Sequence, residues 1–463
     1  MLSGFKQLHF VGIGGVGMSG LATVLADRGF HITGSDRQES RRTQGLRSRG
    51  IRVDIGHRRD NAAGAQALVV SSAVKDDNPE VEAAKESGIP ILRRMEVLSE
   101  LMNEHYSIAV AGTHGKTTTT AILCWTLIKG GLDPTCLIGG EAIDIGTNAR
   151  SGRGVHLVAE VDESDGLIAR LSPKVAVVTN VEEEHLDFYS DAGHIVRTFR
   201  AFLENVPDDG LVILGRDNPN LGHLIEGTDR EPLTYGLDVE DATVWARDVS
   251  QNMMRTDFRL IVRGDSVGKF SLRIPGRHNL YNALPAVIVG LELGLDLSAI
   301  KEAIESFSGV ERRFEIKGIE CGVLVVDDYA HNPTKVRTTL ASIKEGWGES
   351  SRVICIFQPH LYSRSKHLAV DFGRAFHDAD TLIITDVYAA REAPIEGITG
   401  KIIADEAIRN GHPSVDYIAN IKDVVPFLME EGRIGQDDIV ITMGAGDVWK
   451  VADELVSRLK AGN

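Results

Sequence analysis

The chain has 463 residues, 43% of them hydrophobic and 25% charged, with a formal net charge of -16. At about 150 residues per domain this length suggests roughly three domains, each able to bury its own core. The acidic balance argues against nucleic acid or an anionic membrane as partner, and leaves room for a local basic pocket. Cys124, Cys136, Cys321 and Cys355 are widely spaced in apolar surroundings, which suggests neither a zinc site nor a disulfide framework. There is no charged leader before an apolar stretch, and no apolar run approaches the ~18 residues of a membrane span, so a cytoplasmic location is the expectation.

Residues 1–104 open with the apolar run Leu8-His9-Phe10-Val11, which feeds Gly12-Ile13-Gly14-Gly15-Val16-Gly17. Helical spacing follows from Met18 to Arg28, and His31 to Asp36 reads as a second strand ending in an acid. This is a βαβ opening with G-x-G-x-x-G at its turn and an acid about 20 residues further on. Gly14, Gly15, Val16 and Gly17 would bring a diphosphate to a helix N-terminus, with Asp36 placed to accept hydrogen bonds from a sugar or base. NAD and a UDP group satisfy those demands equally. The segment Ala67 to Val74 reads as an apolar strand ending in hydroxyls, Ser71 and Ser72, that suit either a ligand or a helix cap.

The central segment, 105–310, begins with a short buried strand to Ala111, a turn Gly112-Thr113-His114-Gly115, and a helix starting at Lys116-Thr117-Thr118. Such a turn aims backbone N–H groups and the positive end of a helix at a phosphate, with one lysine and one hydroxyl beside it. The full phosphate-loop pattern would want glycine at Val110, so only its tighter core is present. A polar loop is expected around Thr147-Asn148-Ala149. The apolar strand 156–159 runs into Glu160, Asp162, Glu163 and Asp165, acids at the strand end where a magnesium ligand is needed. Glu160 follows the apolar run directly, whereas Asp162 and Asp165 fit an acidic surface loop equally well. His185 stands beyond the next strand at the same sheet end, either as a metal ligand or as a structural histidine, so Thr117, Glu160 and His185 form the candidate metal set. The alternation from Thr243 to Ile274 predicts an antiparallel ribbon. Asn279 and Asn282, three apart on one helix, suit the edge of a base or serve as caps.

Beyond residue 311 the pattern of strand, polar tip and helix repeats. The tips Asp327-Asp328-Tyr329, Gln358-Pro359-His360, Thr385-Asp386 and Gly444-Ala445-Gly446-Asp447 gather at one edge of a parallel sheet.

Nine segments in order now carry a resemblance: 12–20, 71–74, 112–119, 159–165, 179–187, Gly276-Arg277-His278-Asn279-Leu280-Tyr281-Asn282-Ala283, Arg312-Arg313-Phe314, 327–333 and 357–360. Over its whole length the chain resembles the Mur ligases. The resemblance implies an α/β protein of three domains: a Rossmann-like UDP-sugar domain (1–104), a P-loop ATPase-like central domain with a mostly parallel sheet plus the ribbon (105–310), and a Rossmann-like amino-acid domain (311–463). It implies ATP-dependent ligation of L-alanine to the lactyl carboxylate of UDP-N-acetylmuramate through an acyl phosphate, with magnesium, as two ions, in peptidoglycan precursor synthesis. Those three compounds are then the partners of a monomer or homodimer that binds neither nucleic acid nor membrane.

Residue by residue, the resemblance assigns Gly112 to Thr118, Asn279, Asn282, Arg313 and Asp328 to ATP. It assigns Gly14 to Gly17, Asp36, Ser71 and Asn148 to the UDP sugar, and Tyr329, His360 and Arg364 to alanine. Lys116, Glu160, His185 and His360 form the candidate catalytic set, with His360, beside the alanine, as the hypothesised base for its amine. Arg364 has an independent argument, since a guanidinium matches the substrate carboxylate.

Overall fold

The computed structural model describes residues 2–182, 188–225, 230–237, 239–348, 351–390 and 392–461. Among them the chain forms three sheets. The first contains β1 (Gln7–Val11), β2 (His31–Asp36), β3 (Arg52–Ile55), β4 (Ala67–Val70) and β5 (Ile91–Arg93), in the order β3-β2-β1-β4-β5 and parallel throughout. Leu8, Phe10, Val11 and Ala67 to Val70 are buried, as strands covered on both faces by crossover helices must be. The strand order reverses between β1 and β4, so the crevice of the switch point lies at their carboxyl ends, where the glycine turn and Ser71 follow.

The second sheet contains β6 (Tyr106–Ala111), β7 (Thr135–Ala142), β8 (Thr147–Arg150), β9 (His156–Glu160), β10 (Val175–Val178), β11 (Leu211–Gly215), β12 (Leu233–Gly236), β13 (Val244–Asn252), β14 (Arg255–Val262) and β15 (Asp265–Leu272). Their order is β15-β14-β13-β12-β11-β10-β6-β9-β7-β8. The expected ribbon is β13 to β15; the short turns at Met253 and at Arg263-Gly264, all with positive φ, leave adjacent strands no arrangement but antiparallel. The expectation of a loop around Thr147 is corrected: those residues are β8, antiparallel to β7 with Leu137 opposite Ala149. A polar edge strand lacks the apolar alternation by which strands are recognised. β6 lies between β9 and β10, with Val110 beside Glu160 and Ala111 beside Val178. The phosphate loop is thereby flanked by the ends of both neighbours.

The third sheet contains β16 (Glu315–Glu320), β17 (Val323–Asp328), β18 (Val353–Phe357), β19 (Thr381–Ile384), β20 (Val415–Tyr417) and β21 (Ile439–Met443), in the order β16-β17-β21-β18-β19-β20. β16 is antiparallel to β17 and the rest are parallel. Two compact units result: residues 1–248, 258–270 and 281–307 form one, and 249–257, 271–280 and 308–463 the other. No helix among the described residues is long and apolar enough to cross a membrane.

Candidate active site

The glycine turn is held from below. The Ser35 carbonyl accepts the amides of Gly12 (2.8 Å) and Ile13 (2.9 Å), and Asp36 Oδ2 accepts that of Gly14 (2.9 Å). Asp36 therefore caps the turn instead of pointing away from it, and a Cβ on Gly14 would come within 2.8 Å of that oxygen. The Gly15 amide is spent on the Gly12 carbonyl, so Val16 and Gly17, in the first turn of the helix Val16–Asp27, carry amides with no partner on their own helix. Asn148, on β8, donates to the Val16 carbonyl at 2.9 Å, which ties the second sheet to this turn.

The phosphate loop spans Gly112 (φ +131) to Gly115 (φ +79), backbone that only glycine adopts without strain. A Cβ at Gly112 would lie 2.1 Å from Thr179 Oγ1, and one at Gly115 would lie 2.2 Å from Asn282 Oδ1, so both side chains press on the loop. Thr179 Oγ1 donates to the His114 carbonyl at 2.6 Å. Asn180 takes the His114 amide on Oδ1 (2.8 Å) and returns a bond to its carbonyl (3.0 Å). His114 Nε2 pairs with Glu182 at 3.0 Å. Asn279 is placed differently from Asn282, its amide donating to the Pro275 carbonyl at 2.7 Å.

The Lys116 ammonium has its three donors occupied by Glu163 Oε1 (3.0 Å), Glu163 Oε2 (2.8 Å) and the Gly112 carbonyl (2.6 Å). Burial opposes its charge, but the carboxylates of Glu163, Asp162 and Glu160 outweigh burial and raise its pKa above the ordinary lysine value. Thr118 is buried in the first turn of the helix Lys116–Lys129. Thr117 Oγ1 donates to Glu160 Oε1 at 3.2 Å, while Glu160 Oε2 accepts the Gly139 amide at 2.8 Å. One hydroxyl and one carboxylate, all oxygen, fit magnesium, which takes few protein ligands and completes its shell from water and phosphate. Among the described residues no group of three His, Cys, Asp or Glu gathers as a metal site, and His185, the third candidate ligand, lies outside them.

In the second unit Tyr329 and the pair His360 and Arg364 lie on either side of His331. The Tyr329 ring has the guanidiniums of Arg312 and Arg313 each 5.0 Å from its centroid, and Arg364 Nη1 lies 3.5 Å from His360 Nδ1. Between them sits His331, 5.0 Å from Tyr329 and 6.2 Å from His360, with Tyr388 stacked on His360 at 5.8 Å. Sequence reasoning left His331 aside and missed Tyr388, whose place depends on a bridge between Tyr388 and His360. Burial and the charges of Lys335 and Arg364 push the His331 pKa well below the usual histidine value. Asp328 accepts the amides of Phe314 (2.8 Å) and Ala330 (2.7 Å), a bracing role for the loop that carries Arg313. Three non-glycine residues here have positive φ: Arg312, Phe314 and Leu361.

Asp327, at the same strand tip but given no role by the sequence, accepts from Arg312 Nε (3.1 Å) and from Thr442 Oγ1 (2.6 Å). Burial pushes its carboxyl up to about 6 in spite of Arg312 and Thr442. The folded chain thus holds this proton more tightly than the unfolded one, and the stability it contributes falls as pH rises from about 4 to 6 and levels above that. Asp327→Asn is expected to remove this fall in urea melts between pH 4 and 7. An unaltered slope would refute the assignment.

Family comparison follows the same three sheets. Residues 7–106 match the model for the Mur ligase family catalytic domain, 110–290 the Mur ligase middle domain, and 312–446 the Mur ligase glutamate ligase domain. The chain belongs to the Mur ligase family. Among Mur ligases it is 47% identical to the "UDP-N-acetylmuramate--L-alanine ligase" of Geotalea uraniireducens (strain Rf4), with 99% of each chain covered. To the ligase of the same name from Geobacter sp. (strain M21) it is 46% identical, covering 100% of this chain and 99% of that one. The solved UDP-N-acetylmuramate-alanine ligase from Thermotoga maritima matches with a TM-score of 0.85 at 29% identity, over 99% of this chain and 100% of that one. A Mur ligase more distant in sequence, MurF from Thermotoga maritima in complex with ADP, shares the fold at a TM-score of 0.64 and 18% identity, over 93% and 96% of the two chains.

Proposed function

We propose that this Mur ligase joins L-alanine to the lactyl carboxylate of UDP-N-acetylmuramate at the expense of ATP, in the synthesis of peptidoglycan precursors. The observation that carries the reading is the match along the full chain, at 47% identity, to a ligase of that name. Residues 1–104 would hold the nucleotide sugar, 105–310 ATP and 311–463 the amino acid, in a cytoplasmic monomer or homodimer. The lactyl carboxylate attacks the γ-phosphorus, the β,γ-bridging bond breaks, and ADP leaves an acyl phosphate behind. The amine of alanine then attacks the acyl carbon, and phosphate departs.

Each step makes a demand that these residues meet. A carboxylate and a triphosphate repel one another, and Lys116 at the helix N-terminus supplies opposing charge once it exchanges Glu163 for phosphate. Thr117, Glu160 and His185 are the residues that would hold magnesium, which when bound screens the phosphate charge, with a second ion beside it. Arg364 suits the alanine carboxylate. The α-amino group, with a pKa of about 8, must lose a proton before attack, and His360 is the base of this proposal. His360→Gln is expected to lower kcat by about 100-fold or more and to flatten its pH profile; unchanged turnover and profile would overturn the assignment.

The test of function is ADP release with UDP-N-acetylmuramate present and L-alanine, glycine, L-serine or a tripeptide supplied in turn. Release that needs both the sugar nucleotide and L-alanine supports the proposal. Release with the tripeptide in place of alanine would make the protein a peptide-adding ligase, and NAD binding without ATP binding would point to a dehydrogenase.

A further inference from the structure

Beneath the glycine turn lies a carboxylate that no step above uses. Glu80, in the first turn of the helix Pro79–Glu86, is wholly buried. It accepts hydrogen bonds from Ser35 Oγ (2.7 Å), Asn61 Nδ2 (2.8 Å), His9 Nε2 (3.0 Å) and His57 Nδ1 (3.1 Å). Four donors fill the lone-pair sites of a carboxylate. Burial alone would favour the neutral acid; the bonds from His57, His9, Ser35 and Asn61 reverse that and hold the pKa far below the ordinary value. An anion therefore sits in the core of the first sheet at neutral pH.

Stability does not explain it, because a buried ionic group can often be replaced by apolar side chains of similar volume without loss. Its partners do suggest a purpose. Ser35 is the residue whose carbonyl holds Gly12 and Ile13, and its neighbour Asp36 holds Gly14. Asn61 also donates to the Gly56 carbonyl at 2.9 Å, and the Gly56 amide returns to the Asp36 carbonyl at 2.8 Å. A closed ring of hydrogen bonds thus runs from the glycine turn through Ser35 to Glu80, on through Asn61 and Gly56 to Asp36, and back to Gly14. His9, whose Nδ1 meets Thr33 Oγ1 at 2.9 Å, staples β1 into the same ring.

We propose that Glu80 is a positioning residue for the nucleoside diphosphate group, setting the height and tilt of the glycine turn through Ser35 and Asp36 without touching the ligand. This rests on the reading of that turn as the UDP-sugar site. A carboxamide in place of Glu80 keeps the shape but sets an NH2 group where one carboxylate oxygen accepted two of the four donors, so the ring must open on one side.

The test uses the full chain with UDP-N-acetylmuramate, ATP and L-alanine. Glu80→Gln is expected to raise both the calorimetric Kd and the KM for UDP-N-acetylmuramate about tenfold, the equivalent of one lost hydrogen bond. The kcat at saturation and the KM values for ATP and L-alanine should stay within about twofold. Should that variant not fold, Ser35→Ala removes the bond to Glu80, with the 3.1 Å contact of the same hydroxyl to His57, and leaves His9, His57 and Asn61 on Glu80; a smaller rise, about threefold, with the same split is expected. A lower Tm with every kinetic constant unchanged in both variants, or a fall in kcat alone, overturns the proposal and leaves Glu80 a structural residue. If the wild-type protein does not bind UDP-N-acetylmuramate, the reading of the turn fails first, and the inference with it.

Discussion

Replacing Lys116 with methionine is expected to abolish ADP release, by about 100- to 1000-fold or more, and at the same time to destabilise the ligand-free protein by about 3 kcal/mol. The second effect comes from Glu163, whose side chain is 2% exposed and would be left buried without its ammonium. The double variant Lys116→Met with Glu163→Gln separates the two. It should recover most of the stability in urea unfolding, because the uncompensated charge is gone, while ADP release stays at the level of the single variant. A double variant as unstable as Lys116→Met would show that the ion pair is not the source of the loss. A single variant with ADP release within tenfold of wild type would remove Lys116 from the chemistry.

Gly139→Ala is expected to have the next largest effect, through a residue that never touches phosphate. The Gly139 amide holds Glu160 Oε2 at 2.8 Å, and a Cβ there would fall 2.2 Å from the same oxygen. No rotation relieves that contact while the hydrogen bond survives, so the Glu160 carboxylate must leave its place beside Thr117. Groups that orient metal ligands typically matter about 10- to 100-fold in metal affinity. Accordingly, the magnesium concentration for half-maximal ADP release should rise by about that factor, with a smaller loss of stability of about 1–3 kcal/mol from overpacking. An unchanged magnesium dependence would show that Glu160 is not a metal ligand.

The sheets were legible because strand, polar tip and helix alternate through most of the chain, and because glycine turns announce where backbone must approach a ligand. That pattern locates the ends of strands, and so it placed Lys116, Glu160, Tyr329 and His360 just beyond or at them. It does not say which way a side chain turns once the loop has formed. Four acids stand at or just beyond the end of β9, and the pairing of Glu163 with Lys116 and of Glu160 with Thr117 depends on the path of the loop into the turn at Ser164-Asp165, which spacing does not encode. Asp36 Oδ2 takes the Gly14 amide, a bond across the turn that the spacing of glycines and acid does not announce. Gly139 and Tyr388 were missed for a common reason: each acts on a residue far away in sequence, across a neighbouring strand or loop. β8 was read as loop because pairing with β7, rather than its own composition, makes it a strand.

The occupied ammonium of Lys116 has a consequence for discrimination among anions. With all three of its protons engaged, an incoming oxyanion gains a bond to the lysine only by displacing Glu163 or the Gly112 carbonyl. A small ion such as orthophosphate offers little beyond that one exchange, whereas a polyphosphate also spans the amides of the loop and the head of the helix. On the proposed reading of this loop as the triphosphate site, the pair acts as a threshold, set by a carboxylate the protein carries itself, that favours a ligand with several simultaneous contacts.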